Sequence, residues 1–428
     1  MNRTSTLTLL MALVAGTVAC GGGDDEVPAP APATAPVPPS PPPPPAPAPA
    51  PASTATRPQL DDTKALDYTV DKYLAQAGAL TGANGAGLTT DNWTPLAIGD
   101  VASLAATYTV AADGSGTHTT VQAAIDAVPA LSASTTRVYI NVKPGTYREL
   151  VCAKDKAPIT LYSSAADASQ VLIVNGNYNG KAKTANVDSA NPCNPSLSSA
   201  TYGTSGSASV AVYSDNFHAK NISFANDAMK DVVNGVGYPT GATGSGGAQA
   251  VALMTQGDKL VFENVRVLGN QDSLYVKSPN VTTVSRVYFK NSLVQGDTDF
   301  IFGRGVLVLD SCTIRYLSSR LPVGAATTML APSTSPNSNY GILVINSALT
   351  ADSAATANVT YLGRAWDEGV TSGSYVAGTS PNGQALIRNS TLSAHIRKVD
   401  PWGSSTSGRV YNDIGNRFSE HRNTEVTP

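Results

Sequence analysis

Three short stretches carry side chains whose types and spacing could do chemistry. Gln295-Gly296-Asp297-Thr298-Asp299-Phe300-Ile301-Phe302-Gly303 sets a carboxylate, Asp299, directly against an aromatic-Ile-aromatic run. Carboxylates are disfavoured in strands and costly to bury without partners, so Asp299 is either a turn residue or a tuned functional group. A second such site lies upstream in Gln271-Asp272-Ser273-Leu274-Tyr275, and an arginine and a tryptophan lie downstream in Leu362-Gly363-Arg364-Ala365-Trp366. Two neighbouring carboxylates push each other's proton affinities apart, which yields one acid and one base or nucleophile. Arg364 would hold one of them ionised, and Trp366 would offer an apolar wall or a sugar-stacking face. Gln249 and Gln271 are neutral amide donors near the same stretches, the composition of an oxyanion hole.

Competing chemistries find little support. The chain has no Gly-x-Ser-x-Gly elbow. His118, His218, His395 and His421 are scattered without metal-ligand spacing and read as surface or structural residues. The run from Gly241 to Gly247 follows no clear strand and carries no Lys, so it reads as a flexible loop and not as a phosphate loop. Asp297 and Asp299 could ligate a cation, but no further acidic cluster accompanies them. No metal and no organic cofactor is expected.

What must position these side chains is a repeat. Its units are Phe217 to Phe224, Leu260 to Val267, Val287 to Val294, Leu307 to Ile314, Ile342 to Leu349 and Leu386 to Leu392. Each is a strand, a polar turn residue and a second strand. The turn residues are Asn221, Asn264, Asn291, Ser311, Asn346 and Asn389, at spacings of 43, 27, 20, 35 and 43. Asn suits a tight corner because it tolerates left-handed backbone. A period near 20 to 25, with double steps where a coil lacks the pattern or a loop is inserted, is the signature of an all-β solenoid, the parallel β-helix. A β-sandwich gives no reason for strand-Asn-strand to recur at coil spacing. In such a solenoid, side chains on one face of successive coils stack about 5 Å apart. Asp272 and Asp299, 27 residues apart, would then sit side by side, with Arg364 about two coils on.

Composition agrees with this architecture. The 428 residues are 42% hydrophobic and 14% charged, with a net charge of -3 and 37 Gly. That balance fits an extracytoplasmic β-rich protein and excludes a nucleic-acid binder, which would carry basic patches. Residues 1–19 read as a signal peptide, with Arg3 before a short apolar core from Leu7 to Val18. Val18-Ala19-Cys20-Gly21 resembles a bacterial lipoprotein processing site that would make Cys20 a lipidated first residue; simple cleavage beside an incidental Cys is the alternative. Residues 20–58 then form a Pro/Ala-rich tether, semi-rigid at about 3 Å per residue. Such an anchor would place the protein at the outer membrane or cell surface, with secretion as the alternative, and would be its only membrane contact. Residues 59–107 form an N-terminal extension packed on the main domain, with one helix over Asp61 to Gln76 whose Leu66, Val70, Tyr73 and Leu74 share a face, and the solenoid carries a short N-terminal helical cap. Thr119 to Val128 is a second helix. Residues 108–428 form the solenoid domain. Cys152 and Cys193 could pair in an oxidising compartment, and Cys312 reads as a buried thiol.

These stretches, in this order, resemble the pectin methylesterase (pectinesterase) family. The matching pieces are Asp113-Gly-Ser-Gly with Thr120-Val-Gln-Ala-Ala-Ile, Gly145-Thr-Tyr-Arg-Glu149, Gln249-Ala-Val-Ala-Leu253, Gln271-Asp-Ser-Leu-Tyr275, Asp299-Phe-Ile-Phe-Gly303 and Leu362-Gly-Arg-Ala-Trp366. The resemblance implies a right-handed parallel β-helix, acting as a monomer, that removes methyl esters from pectin. It implies Asp299 as nucleophile, Asp272 as acid and then base, Gln249 and Gln271 at the oxyanion, and Arg364 as the partner of Asp299. It also implies that Trp366, Phe302 and Thr204 contact the sugar chain. Asp297-Thr298 stands where the family usually has Thr-Val, Ser273 where it has Thr, and Ala365 where it has Pro. Asp297 would either perturb the proton affinity nearby or face solvent. A β-helix glycosidase or lyase is a rival reading, but it would need acid-base or calcium-binding motifs that are not found. A non-catalytic polysaccharide-binding lipoprotein is another, which the retained Asp272, Asp299 and Arg364 argue against.

Overall fold

The six corner residues of the repeat all adopt left-handed backbone, with φ between 47° and 60°. In a computed structural model, which describes residues 53–75, 78–80, 88–184, 193, 198–411 and 417–426, each corner joins a strand of one parallel sheet to a strand of the next. A left-handed residue turns the chain sharply in one step, and Asn accepts that conformation at less cost than a β-branched residue. The corners also bond to one another: Asn264 Nδ2 donates to Asn221 Oδ1 at 2.8 Å. A further corner, at Arg422, has φ of 50° and carries no sequence signal for it.

Three sheets of ten, nine and seven parallel strands result, and successive coils add one strand to each. The coil built from Arg286–Lys290, Leu293–Gly296 and Ile301–Gly303 pairs on one side with Leu260–Glu263, Arg266–Leu268 and Leu274–Val276. On its other side lie Val306–Asp310, Thr313–Tyr316 and Thr327–Pro332. This is the parallel β-helix the repeat predicts. The long spacings have one cause of the two expected. Strand His218–Lys220 pairs directly with Leu260–Glu263, and Ile342–Ile345 directly with Gln384–Arg388. Each step of 43 is therefore one coil with an inserted loop, not a double step.

The sheets enclose a continuous apolar core. Phe262 stacks on Phe289 at 4.5 Å between centroids, one coil apart. Burying each such ring contributes about 1.5–3 kcal/mol. Helix Val121–Asp126 closes the N-terminal end of the core with Val121, Ala124 and Ile125 buried, and Thr120 caps it by accepting from the Ala123 N–H at 3.2 Å.

The N-terminal extension differs from the expected single helix. Two short helices form, Asp62–Ala65 and Val70–Ala75, and Leu66 between them is 67% exposed. Arg388 from the ten-stranded sheet donates to the carbonyls of Ala65 and Tyr68 at 2.8 and 2.9 Å, satisfying the backbone where the helix breaks. Tyr73 and Leu74 pack on the outer face of that sheet against Val308, Leu343 and Leu386, so this segment covers a side of the solenoid. Contacts of the fold begin ahead of residue 59. Arg57 is buried, pairs with Glu420 at 2.8 Å, and Leu60 N–H donates to the Glu420 carbonyl at 2.8 Å. Cys152 and Cys193 form a disulfide, and Cys312 is a buried free thiol. The expected signal peptide and Cys20 lie outside the described residues.

Candidate active site

Asp272 and Asp299 occupy the same position on adjacent coils. The register Leu274 to Ile301 and Tyr275 to Phe302 places them side by side. Both have left-handed backbone, at φ 65° and 46°, and each lies two residues before a strand of the seven-stranded sheet. The Asp272 N–H donates to the Thr298 carbonyl at 3.1 Å, and the Asp299 N–H to the Thr328 carbonyl at 2.7 Å. The turn reading of Asp299 holds, and the turn places its carboxylate at the lining of a cleft. Glycines frame it because the backbone is crowded. A Cβ at Gly303 (φ 125°) would lie 1.9 Å from the Val276 carbonyl oxygen, and one at Gly296 would lie 2.3 Å from Phe300 Cβ.

Arg364 follows strand Thr360–Gly363, two coils beyond Asp299. Its Nε donates to Asp299 Oδ1 at 3.0 Å and its Nη2 to Oδ2, a two-pronged grip on an ionised carboxylate. Asp272 is 7% exposed and has no such partner. Burial, and then the charge of Asp299, pushes its carboxyl well above the usual carboxylate range, against a smaller opposing pull from Arg364. The two carboxyls therefore differ in the way acid and nucleophile must: one is ion-paired, the other favours its proton.

They open into a cleft of about 920 Å³ lined by Gln249, Gln271, Thr204 and Trp366 among others. Neither glutamine side chain bonds to another described residue, and Gln249 Oε1 is buried without a partner. Their amide N–H groups are free to meet an incoming oxygen. Thr204 sits in the short helix Gly203–Gly206 and accepts from Asn179 Nδ2 at 2.9 Å. Phe302 is 4% exposed and stacks on Tyr275 at 4.1 Å; Trp366 meets both rings edge-on at 5.5 and 5.9 Å and presents the open face. The Trp366 N–H donates to the Pro332 carbonyl at 2.9 Å, and the adjoining Asp367 accepts from Arg409 Nε at 2.9 Å.

Sequence reasoning missed Tyr275, Lys277 and Glu368 in the lining and the burial of Asp297 behind it. Tyr275 closes a motif it quoted, yet its ring forms the floor under Trp366. Lys277 lies over the Tyr275 ring at 5.3 Å and donates to Ser205 Oγ at 3.3 Å. Arg304 pairs with Glu368 at 2.6 Å nearby. Asp297 neither faces solvent nor stands alone. It is fully buried and held by Arg320 and Asn270. Among the described residues no group of three or more His, Cys, Asp or Glu could hold a metal ion.

A parallel β-helix with two adjacent carboxyls, one of them arginine-bound, and free amide donors in an aromatic-walled cleft is an arrangement suited to an ester hydrolase. Comparison with known proteins narrows this. The family model "Pectinesterase" matches residues 107–372. The chain is 48% identical to a pectinesterase of Ralstonia solanacearum over 87% of its length and 91% of the relative's. It is 34% identical to pectinesterase B of Dickeya dadantii, over 83% of each. The solved structure of rice weevil pectin methyl esterase superposes with a TM-score of 0.70 at 33% identity, covering 87% of this chain and 98% of that one. The chain belongs to the pectinesterase family.

Proposed function

We propose that Asp299 and Asp272 divide the work of methyl-ester hydrolysis on pectin between attack and proton transfer. The observation that carries this reading is the contrast in their surroundings: Arg364 on both oxygens of Asp299, burial and a neighbouring charge around Asp272. An Asp299 oxygen attacks the ester carbonyl carbon. The oxyanion that forms accepts from the amide N–H groups of Gln249 and Gln271. Collapse breaks the bond to the methoxy oxygen, which takes the Asp272 proton and leaves as methanol.

The acyl-enzyme that remains carries no charge on Asp299. The Asp299 charge that added to burial in raising the Asp272 proton affinity is then gone, and Arg364, relieved of its ionised partner, favours the charged form, so Asp272 stays a carboxylate and serves as base. It takes a proton from water, whose oxygen attacks the acyl carbon. Asp299 leaves as a carboxylate, the sugar acid is freed, and Asp272 is again protonated. Trp366, with Phe302 and Tyr275 behind it, supports a sugar ring, and Thr204, lining the same cleft, meets the sugar chain.

The amino-terminal residues suggest delivery outside the cytoplasm, with lipid at Cys20 and residues 20–58 as a spacer between the anchor and the domain. Among the described residues no helix is long and apolar enough to cross a membrane. Mass spectrometry of the mature N-terminus tests the lipid: a diacylated Cys20 supports it, and a free amino acid there rejects it. Methanol release from methylated pectin without chain shortening tests the reaction. The monomeric state is tested by sedimentation.

A further inference from the structure

Asp297 lies two residues before the nucleophile, is 0% exposed, and lies outside the cleft lining. Arg320, 1% exposed, holds both its oxygens: Nε donates to Oδ2 at 2.7 Å and Nη2 to Oδ1. Asn270 Nδ2 donates to Oδ2 at 2.9 Å. The remaining Arg320 donors reach Thr298 Oγ1 at 3.3 Å and the Tyr238 hydroxyl at 3.0 Å. The backbone is tied in the same place. Asp297 N–H donates to the Asn270 carbonyl at 3.1 Å, and the Thr327 hydroxyl donates to the Asp297 carbonyl. Asn270 stands two residues before Asp272, as Asp297 does before Asp299. The network thus clamps the entry to both left-handed carboxylate turns, and reaches a third coil at Thr327-Thr328, whose Thr328 carbonyl receives the Asp299 N–H.

Stability alone is a weak reason for such a pair. Desolvating two charges offsets much of their attraction, and apolar residues of similar volume often serve as well. Left-handed backbone at a non-glycine residue costs free energy and persists only where its surroundings over-determine it. The pair supplies that determination where a displacement of about 1 Å would cost catalysis about 100-fold.

We propose that the buried Asp297–Arg320 pair is a positioning unit that sets the register and aim of Asp272 and Asp299 while cancelling its own charge at Asp272. This rests on the assignment of those two residues to catalysis. The charged groups facing Asp272 are Asp299, Arg364, Asp297 and Arg320, with Tyr275 beside them. Asp297 raises the Asp272 proton affinity and Arg320 lowers it, so removing one member leaves the other's field unopposed.

The test compares Asp297→Asn, Arg320→Met and the neutral double variant Asp297→Asn/Arg320→Met by methanol release across pH, with thermal unfolding as a folding check and Asp299→Asn as control. The alkaline limb of kcat is expected to move to lower pH in Asp297→Asn and to higher pH in Arg320→Met. In the double variant it returns to the wild-type position while kcat stays about 10–100-fold low and KM changes less than twofold. A single variant that does not fold leaves the double variant as the decisive measurement. A double variant with wild-type kcat, or single variants whose limbs move in the same direction, overturns the proposal. Turnover by Asp299→Asn would instead refute the catalytic assignment beneath it.

Discussion

Arg364 reaches across two coils to hold both carboxylate oxygens of Asp299, with Nε 3.0 Å from Oδ1. The fork matches a carboxylate in a way that an ammonium does not. Arg364→Lys keeps the charge and loses the paired geometry. Its kcat is expected to fall about 10–100-fold with little change in KM, read by methanol release under saturating substrate. Wild-type kcat in that variant would show that charge alone suffices.

Asp299→Asn removes the attacking oxygen's charge while leaving its left-handed turn acceptable, because Asn tolerates that backbone as Asp does. Turnover is expected to vanish, and thermal unfolding to change little. Measured together, the two separate loss of chemistry from loss of fold.

Asp272 links activity to pH and to stability with a definite sign. Its folded-state proton affinity is raised, first by burial and then by the Asp299 charge. Below the ordinary carboxylate range the group is protonated folded and unfolded alike, and that contribution is fully present. As pH rises from there through the raised folded value, the unfolded chain binds fewer protons than the folded one, and stability is lost. Asp272→Asn abolishes this cost. The Tm difference, variant minus wild type, is therefore expected to grow with pH above the carboxylate range. A difference that is flat with pH would contradict the raised affinity.

The Cys152–Cys193 disulfide spans 41 residues and joins Cα atoms 5.7 Å apart. The disulfide packs in the same cluster as Tyr275, Phe302 and Trp366, beneath the aromatic wall of the cleft. Chain-entropy reasoning gives it up to about 4 kcal/mol. Cys152→Ala/Cys193→Ala is expected to unfold at lower denaturant, and its KM to rise more than its kcat falls. Unchanged KM would separate the disulfide from the cleft.

Much of this was legible in the sequence for a physical reason. A solenoid repeats its corners, so the left-handed demand recurs at Asn221, Asn264, Asn291, Asn346 and Asn389, and the stacking of coils turns sequence spacing into adjacency. Asp272, Asp299 and Arg364 could be placed together on that basis. The corner at Arg422 escaped because its residue type gives no hint of positive φ. The break after Ala65 escaped because its cause, the Arg388 side chain, lies far along the chain. The fate of Asp297 escaped likewise. Arg320 belongs to no motif, and only folding brings it to the carboxylate. Residue types that follow from backbone geometry were readable, and side-chain partners that only folding brings together were not.

The central claim is that this chain removes methyl groups as methanol and leaves the polymer backbone intact. The direct measurement follows methanol and polymer length together, with residues 53–428 acting on highly methylated pectin. Methanol accumulating with equal new carboxylate, at constant chain length, is the predicted result. Chain shortening without methanol would contradict it.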